Sequence, residues 1–188
     1  DGRTVVKNEI GLLEDMETLP IPNWDLFDKR HFYKPFNGRA YRYGHVEFSR
    51  GCPQRCSYCI NENLQKLYKG KGKYFRKKSV DNIIEEMEYL KHKYNLEIIK
   101  FWDEEFLIRS ERELEELAHK YKKINLPFLI DARLDHVTEK KAQLLKTMGC
   151  VNVSCGIESG SDYVRKNVLN RKMDNKKMIR GVRILNKY

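Results

Sequence analysis

From Tyr41 to its last residue the chain alternates short runs rich in β-branched and aromatic side chains with stretches of helical period. No other feature restricts its fold as much. Tyr41 to Ser49, Leu96 to Trp102, Phe128 to Arg133 and Cys150 to Ile157 read as strands. Between them lie helices with recognisable ends. Ser79 caps one that carries Ile83, Ile84, Met87 and Leu90 on one face and ends at Asn95. Ser110 and Glu113 form a capping box before Leu114, Leu117, Ala118 and Tyr121. Thr138 opens a third helix, with Ala142, Leu144, Leu145 and Met148, which Gly149 stops. Two further helical stretches follow, Asp162 to Leu169 and Asp174 onward, the latter with Met178, Ile179, Val182 and Leu185 on one face. Short strand–helix connections favour parallel strands joined by right-handed crossovers. The expected fold is therefore α/β with parallel strands; its four units are too few for a closed eight-stranded barrel of roughly 250 residues.

At the end of the first strand stands Gly51-Cys52-Pro53-Gln54-Arg55-Cys56-Ser57-Tyr58-Cys59, which holds three of the five cysteines in a Cys-x-x-x-Cys-x-x-Cys spacing. Thiolates are soft donors for iron–sulfur clusters, zinc or copper(I), and such close spacing suits one metal centre. Three ligands leave such a centre one donor short. His45 is the nearest imidazole that could complete it; as a residue of the preceding strand it is more simply a strand side chain. A disulfide with a spare thiol is the competing reading, and the Pro, Gln, Arg and Ser between the cysteines describe an exposed loop rather than a core. Cys150 and Cys155 bracket the fourth strand and face opposite sides of it, as small apolar side chains.

The composition, 40% hydrophobic and 34% charged over 188 residues, fits one ordinary globular domain. No apolar run reaches the roughly 20 residues of a membrane span, and metal-binding cysteines fit a reducing cytoplasm. The formal charge of +10 points to an anionic partner. It concentrates between Lys66 and Lys78, where seven Lys or Arg stand without an acid beside Tyr68, Tyr74 and Phe75. A nucleic acid, an anionic substrate group or a lipid headgroup would each suit that loop, and so would plain solvation. Residues 1–42 read as an irregular arm, with Trp24, Leu26 and Phe27 expected to pack across the domain.

The cysteine loop, with Tyr58 directly before its third cysteine, resembles the signature of radical S-adenosylmethionine (SAM) enzymes. The likeness extends over residues 43–188, read as a truncated radical SAM core, and it implies a partial (β/α) barrel with four of that family's six strand–helix units. It implies a 4Fe–4S cluster on Cys52, Cys56 and Cys59, with SAM chelating the fourth iron through its amino and carboxylate groups. An electron from the cluster would then split the sulfonium and release a 5′-deoxyadenosyl radical. After the second strand, Asp103 or Glu104 stands where the family holds the SAM amino group, in an acidic run that lacks the family's glycines. Ser154 and Glu158, in Ser154-Cys155-Gly156-Ile157-Glu158-Ser159, inherit the ribose contacts, and Arg171 the SAM carboxylate. Arg133, at the end of the third strand, either grips a carboxylate or is satisfied by Asp131 and Asp135.

Leu19-Pro20-Ile21-Pro22-Asn23-Trp24-Asp25-Leu26-Phe27 further resembles the linker that follows a cobalamin-binding domain in one branch of this superfamily. On that likeness the chain is an excerpt of a longer protein. Cobalamin would be held by an N-terminal domain outside it, and a flavodoxin or ferredoxin would supply electrons. Methyl transfer and rearrangement both occur in that branch, and the substrate is left open. Two other functions compete: a methylthiotransferase-like enzyme acting on RNA or protein, and a zinc-stabilised basic nucleic-acid-binding module.

Overall fold

The computed structural model describes residues 2–188. Among the described residues are seven strands and five α-helices: β1 (Tyr33–Phe36), β2 (Arg39–Val46), β3 (Ser49–Arg50), α1 (Ile60–Leu67), β4 (Arg76–Lys77), α2 (Val80–Tyr94), β5 (Ile98–Phe101), α3 (Glu111–Tyr121), β6 (Phe128–Ala132), α4 (Glu139–Met148), β7 (Cys150–Cys155) and α5 (Asn175–Lys187). The main sheet runs β1-β2-β5-β6-β7. The last four of these are parallel neighbours, and β1 joins β2 antiparallel. The architecture is the expected one, a mixed α/β half-barrel.

Helix ends follow the sequence signals. Ser79, Thr138 and Asp174 each accept a hydrogen bond from the backbone N–H three residues on, and Ser110 with Glu113 completes its capping box. Asn95 and Gly149 close α2 and α4 in the left-handed conformation, at φ 50° and 89°.

Period-2 alternation gives the sheet two unlike faces. Val46, Ile99, Phe101, Ile130 and Ala132 belong to the main hydrophobic core with Ile83, Met87, Leu114, Leu117 and Leu145 of the helices. The register Tyr43↔Ile98, His45↔Lys100 and Asp131↔Ser154 places the alternate residues on the concave side. That side mixes a small apolar cluster, Tyr43, Ile98 and Leu129, with polar pairs. Lys100 pairs with Asp131 at 2.7 Å, and the Trp102 indole N–H donates to His45 Nδ1 at 2.8 Å.

Three elements depart from the sequence reading. Within the arm, β1 forms a hairpin with β2 through Asn37 and Gly38, at φ 52° and 76°. Its Pro35 weakens the strand signal and confines it to a sheet edge. The eight-residue α1 has Cys59 at its N-cap and no side-chain cap bond, so no helix-start signal precedes it. The stretch after β7 forms a π-helical turn, Val164–Val168. Of the arm's large residues, Trp24 is buried between Phe32 and Tyr94, at ring separations of 5.3 and 5.1 Å. Leu26 and Phe27 are instead 81% and 60% exposed, because the short turn Trp24–Leu26 presents them outward.

Phe101 sits wholly buried between Phe106, at 4.9 Å, and Phe128, edge-on at 5.6 Å. Phe101→Ala is expected to cost about 3–5 kcal/mol in chemical denaturation. A loss below about 1 kcal/mol would show that the core is not organised around this ring.

Candidate functional site

The cysteine loop starts where β3 ends, and backbone and side-chain groups of α1, of the stretch around Tyr74 and of the segment after β7 fix its course. Gly51 sits at φ +82°, where a Cβ would lie 2.5 Å from the Tyr74 carbonyl oxygen, so only glycine fits. The Gln65 amide of α1 donates to the Cys52 and Gln54 carbonyls at 2.8 and 2.9 Å. Beyond β7, the Leu169 and Val168 carbonyls accept from the Ser57 N–H and hydroxyl at 3.0 and 2.7 Å. The Asn170 amide donates to the Arg55 carbonyl at 2.7 Å.

The basic stretch 66–78 is tied down as well. Leu13 N–H donates to the Lys71 carbonyl at 2.8 Å, Tyr74 reaches Asn61 at 2.5 Å, and Lys77 and Lys78 pair with Glu113 and Glu86. Of its charges only Lys78 is paired in a buried setting among the described residues, while the Lys77–Glu113 pair lies nearer the surface.

A cleft of about 530 Å³ opens at the C-terminal ends of β6 and β7. Strand ends are where parallel sheets place ligands. Cys52, Cys56, Tyr58, Cys59, Glu104, Arg133, Ser154, Glu158 and Arg171 all line it. All five cysteines are unbridged, and Cys56 is the most buried of the loop's three. Among the described residues no three His, Cys, Asp or Glu side chains converge on a point where one ion could sit. A cuboidal cluster makes a different demand, since each thiolate takes a separate iron and the three surround it. Three soft thiolate donors lining one cleft are a set that such a cluster can use. Burial pushes the Cys52 thiol up, with Glu104 and the other two cysteines adding to it.

On the opposite wall Arg171 donates to the Tyr58 hydroxyl at 3.0 Å and to the Gly156 carbonyl at 2.8 Å, while its buried Nε has no partner. Burial carries the Tyr58 hydroxyl up to about 12, against the Arg171 charge. Glu158, at φ 64°, folds back over Gly156, leaving no room there for a Cβ. The Ser154 hydroxyl accepts from the Asn152 amide at 2.9 Å. Glu104 accepts from the Gly51 N–H at 3.3 Å, and burial, then Asp103 and Glu47, push its carboxyl up.

Two of the residues singled out from sequence stand apart from this picture. Asp103 is buried outside the cleft. It takes the Ser49 hydroxyl, the Phe48 N–H at 3.2 Å and Arg109 at 2.5 Å, so Glu104 is the carboxylate left facing the cysteines. His45 is not among the cleft's lining residues, and its Nδ1 is taken by Trp102. Arg133 lines the cleft, yet its Nε and Nη2 grip Asp135 at 3.0 and 2.8 Å. Burial opposes its charge, and the Asp135 pair outweighs that.

Sequence reading missed Arg109 and Arg165. Arg109 stacks at 4.0 Å over Phe48 and 4.6 Å over Phe106. Arg165, wholly buried, binds the Met173 carbonyl at 3.1 Å, the Ser159 carbonyl, Asp162 and Asn175, and so fastens the segment that presents Glu158 and Arg171. Arg109 follows the short apolar run Phe106-Leu107-Ile108 and Arg165 lies in a mostly polar stretch, and neither context marks an arginine as buried.

The family model for the radical SAM superfamily matches residues 46–188. The chain belongs to the radical SAM superfamily. Over 156 residues, 81% of the chain and 31% of the relative, it is 31% identical to an uncharacterized methyltransferase of Pyrococcus horikoshii. It is 22% identical over 173 residues, 88% of the chain and 31% of the relative, to the cytidylyl-2-hydroxyethylphosphonate methyltransferase of Streptomyces wedmorensis. The chain thus spans about a third of these relatives' length. The fold is shared with the radical S-adenosylmethionine methyltransferase TsrM of Kitasatospora setae, solved with cobalamin and a [4Fe-4S] cluster bound. That match has a TM-score of 0.63 at 19% identity and covers 78% of this chain and 29% of that one. Among the described residues no helix is long and apolar enough to cross a membrane.

Within this radical SAM core, Asp103→Ala would leave the Arg109 guanidinium buried without its partner. A loss of about 3–5 kcal/mol is expected in denaturant melts; a change below about 1 kcal/mol would show the pair to be dispensable. On the concave face, burial and then Lys34 hold His45 below the ordinary imidazole range. Its neutral Nδ1 accepts from Trp102, so protonation breaks that bond. The contribution to stability is present above the unfolded imidazole value and is lost as pH falls through the lower folded value. In a Trp24→Phe protein, Trp102 emission should therefore hold steady down to about pH 6.5 and change only below it. A midpoint at or above the ordinary imidazole value would contradict the assignment.

Proposed function

We propose that this chain is the cluster- and SAM-binding core of a cobalamin-associated radical SAM methyltransferase. The observation that carries the reading is one cleft that brings three unbridged thiols of a strand-end loop against Arg171, Tyr58 and Glu158. Cys52, Cys56 and Cys59 would hold the 4Fe–4S cluster. Bound there, the cluster supplies the electron that cleaves the SAM sulfonium.

The other residues act by charge and position. Glu104 stands beside the loop, and a SAM ammonium would relieve the desolvation that raises its carboxyl. Arg171 has an unsatisfied Nε, so a carboxylate arriving at this wall would gain a buried guanidinium already fixed by Tyr58 and Gly156. Glu158 and the Ser154 hydroxyl offer acceptors for ribose hydroxyls. The relatives' names favour methyl transfer over rearrangement, and the cobalamin-bound neighbour favours a separate corrin-binding domain. The substrate is a small molecule of unassigned class.

Anaerobic reconstitution with iron and sulfide should give a brown protein with about four iron and four sulfide per chain. Cys56→Ser should lose that cluster, and Arg171→Ala should weaken SAM binding about tenfold or more, roughly 1.4 kcal/mol. A colourless protein that binds one zinc would overturn the reading, and an unchanged SAM titration would remove Arg171 from the site.

A further inference from the structure

The Arg133 side chain carries five N–H donors, and each of its three nitrogens has a partner. Nε and Nη2 form a fork with the two Asp135 oxygens, at 3.0 and 2.8 Å. Nη1 points at Cys56 Sγ, 3.9 Å away. The backbone is held too: Arg133 N–H donates to Glu105 Oε1 at 3.2 Å, and the same carboxylate takes Leu107 N–H at 3.0 Å and meets His136 Nδ1 at 2.6 Å. Only 5% of Arg133 is exposed, and Cys56 is 6% exposed. With the Nε–Nη2 edge closed on Asp135, a cofactor carboxylate could be gripped only at the Nη1–Nη2 edge, beside the Cys56 sulfur. Its free edge meets the loop sulfur that is least accessible to water. Screening is weakest there, and a cation acts most strongly on any negative charge that forms.

We infer that Arg133 is a positioning residue for the cluster rather than a contact to SAM: its hydrogen bond to the Cys56 sulfur stabilises the electron-rich, reduced cluster and sets its reduction potential, with Asp135 moderating the effect. This rests on the cluster assignment proposed above. Hydrogen bonds to cluster sulfurs and nearby charge are established levers on cluster potential. On reduction one electron enters from an external low-potential donor and the cluster's net charge falls by one. No bond forms or breaks. A fixed positive charge at a ligand sulfur favours that state, and a fixed negative charge opposes it. Removing each partner must therefore move the potential in opposite directions.

The test is an anaerobic redox titration of reconstituted full-length chain, with dithionite as reductant and the reduced cluster counted by electron paramagnetic resonance. Iron and sulfide content and a SAM titration are measured in parallel. Arg133→Gln should lower the midpoint potential, and Asp135→Asn, which keeps the shape of the fork, should raise it. Iron content and SAM affinity should stay near wild type in both. Opposite shifts are the signature of charge, which mere loosening of the loop does not give. Shifts of the same sign, or none, would overturn the inference. So would an unchanged potential with weakened SAM binding, which would make Arg133 a carboxylate grip. If Arg133→Gln does not fold, the upward shift in Asp135→Asn decides alone. A wild-type chain that loads no cluster would overturn the proposed function itself, and the wild-type iron assay separates that result from the others.

Discussion

Asp103 and Arg109 form an ion pair closed off from water, and three parts of the molecule meet on it. The Asp103 carboxylate follows β5 and receives the Ser49 hydroxyl and the Phe48 N–H from the strand end that leads into the cysteine loop. Arg109 approaches from the short turn before α3, packs between Phe48 and Phe106 and donates to the Phe106 carbonyl at 2.8 Å. Burying two charges is costly, and the net gain over an apolar pair is small. What the pair adds is geometry: the directional demands of a carboxylate and a guanidinium allow only one relative placement of the loop's first residue and the sheet.

From that anchor the cleft is assembled mostly by backbone groups. The loop's carbonyls are held by Gln65, its Ser57 by the carbonyls of Val168 and Leu169, and its middle by Asn170. Because the main chain is fixed, the cysteines and Tyr58 need no elaborate packing of their own to face Arg171 and Glu158. The concave side of the sheet is unlike a closed barrel's filled interior. Its Lys100–Asp131 and His45–Trp102 pairs leave a polar and aromatic lining, with Trp102 52% exposed.

The helix caps and the four parallel strands were legible because each rests on local chemistry: a Ser or Thr oxygen before a helix, a glycine or asparagine after it, and alternation within strands. The cysteine spacing was legible for the same reason. What sequence could not separate was Asp103 from Glu104. They are adjacent, one turns inward to Arg109 and the other toward the cysteines, and only the path of the chain decides which. Arg165 stayed hidden because its partners, from Ser159 to Asn175, are brought around it by a π-helical turn that no residue pattern announces. The β1 strand stayed hidden because it exists by pairing with β2, not through any preference of Lys34-Pro35.

The contacts between the cysteine loop and the segment after β7 join residues 111 and 115 positions apart in the chain. Contacts of such separation close late in folding, since the loop-closure cost precedes their reward. During synthesis the three thiols would leave the ribosome long before the residues that brace them exist. The order of events follows: the cradle becomes rigid only when the segment after β7 docks.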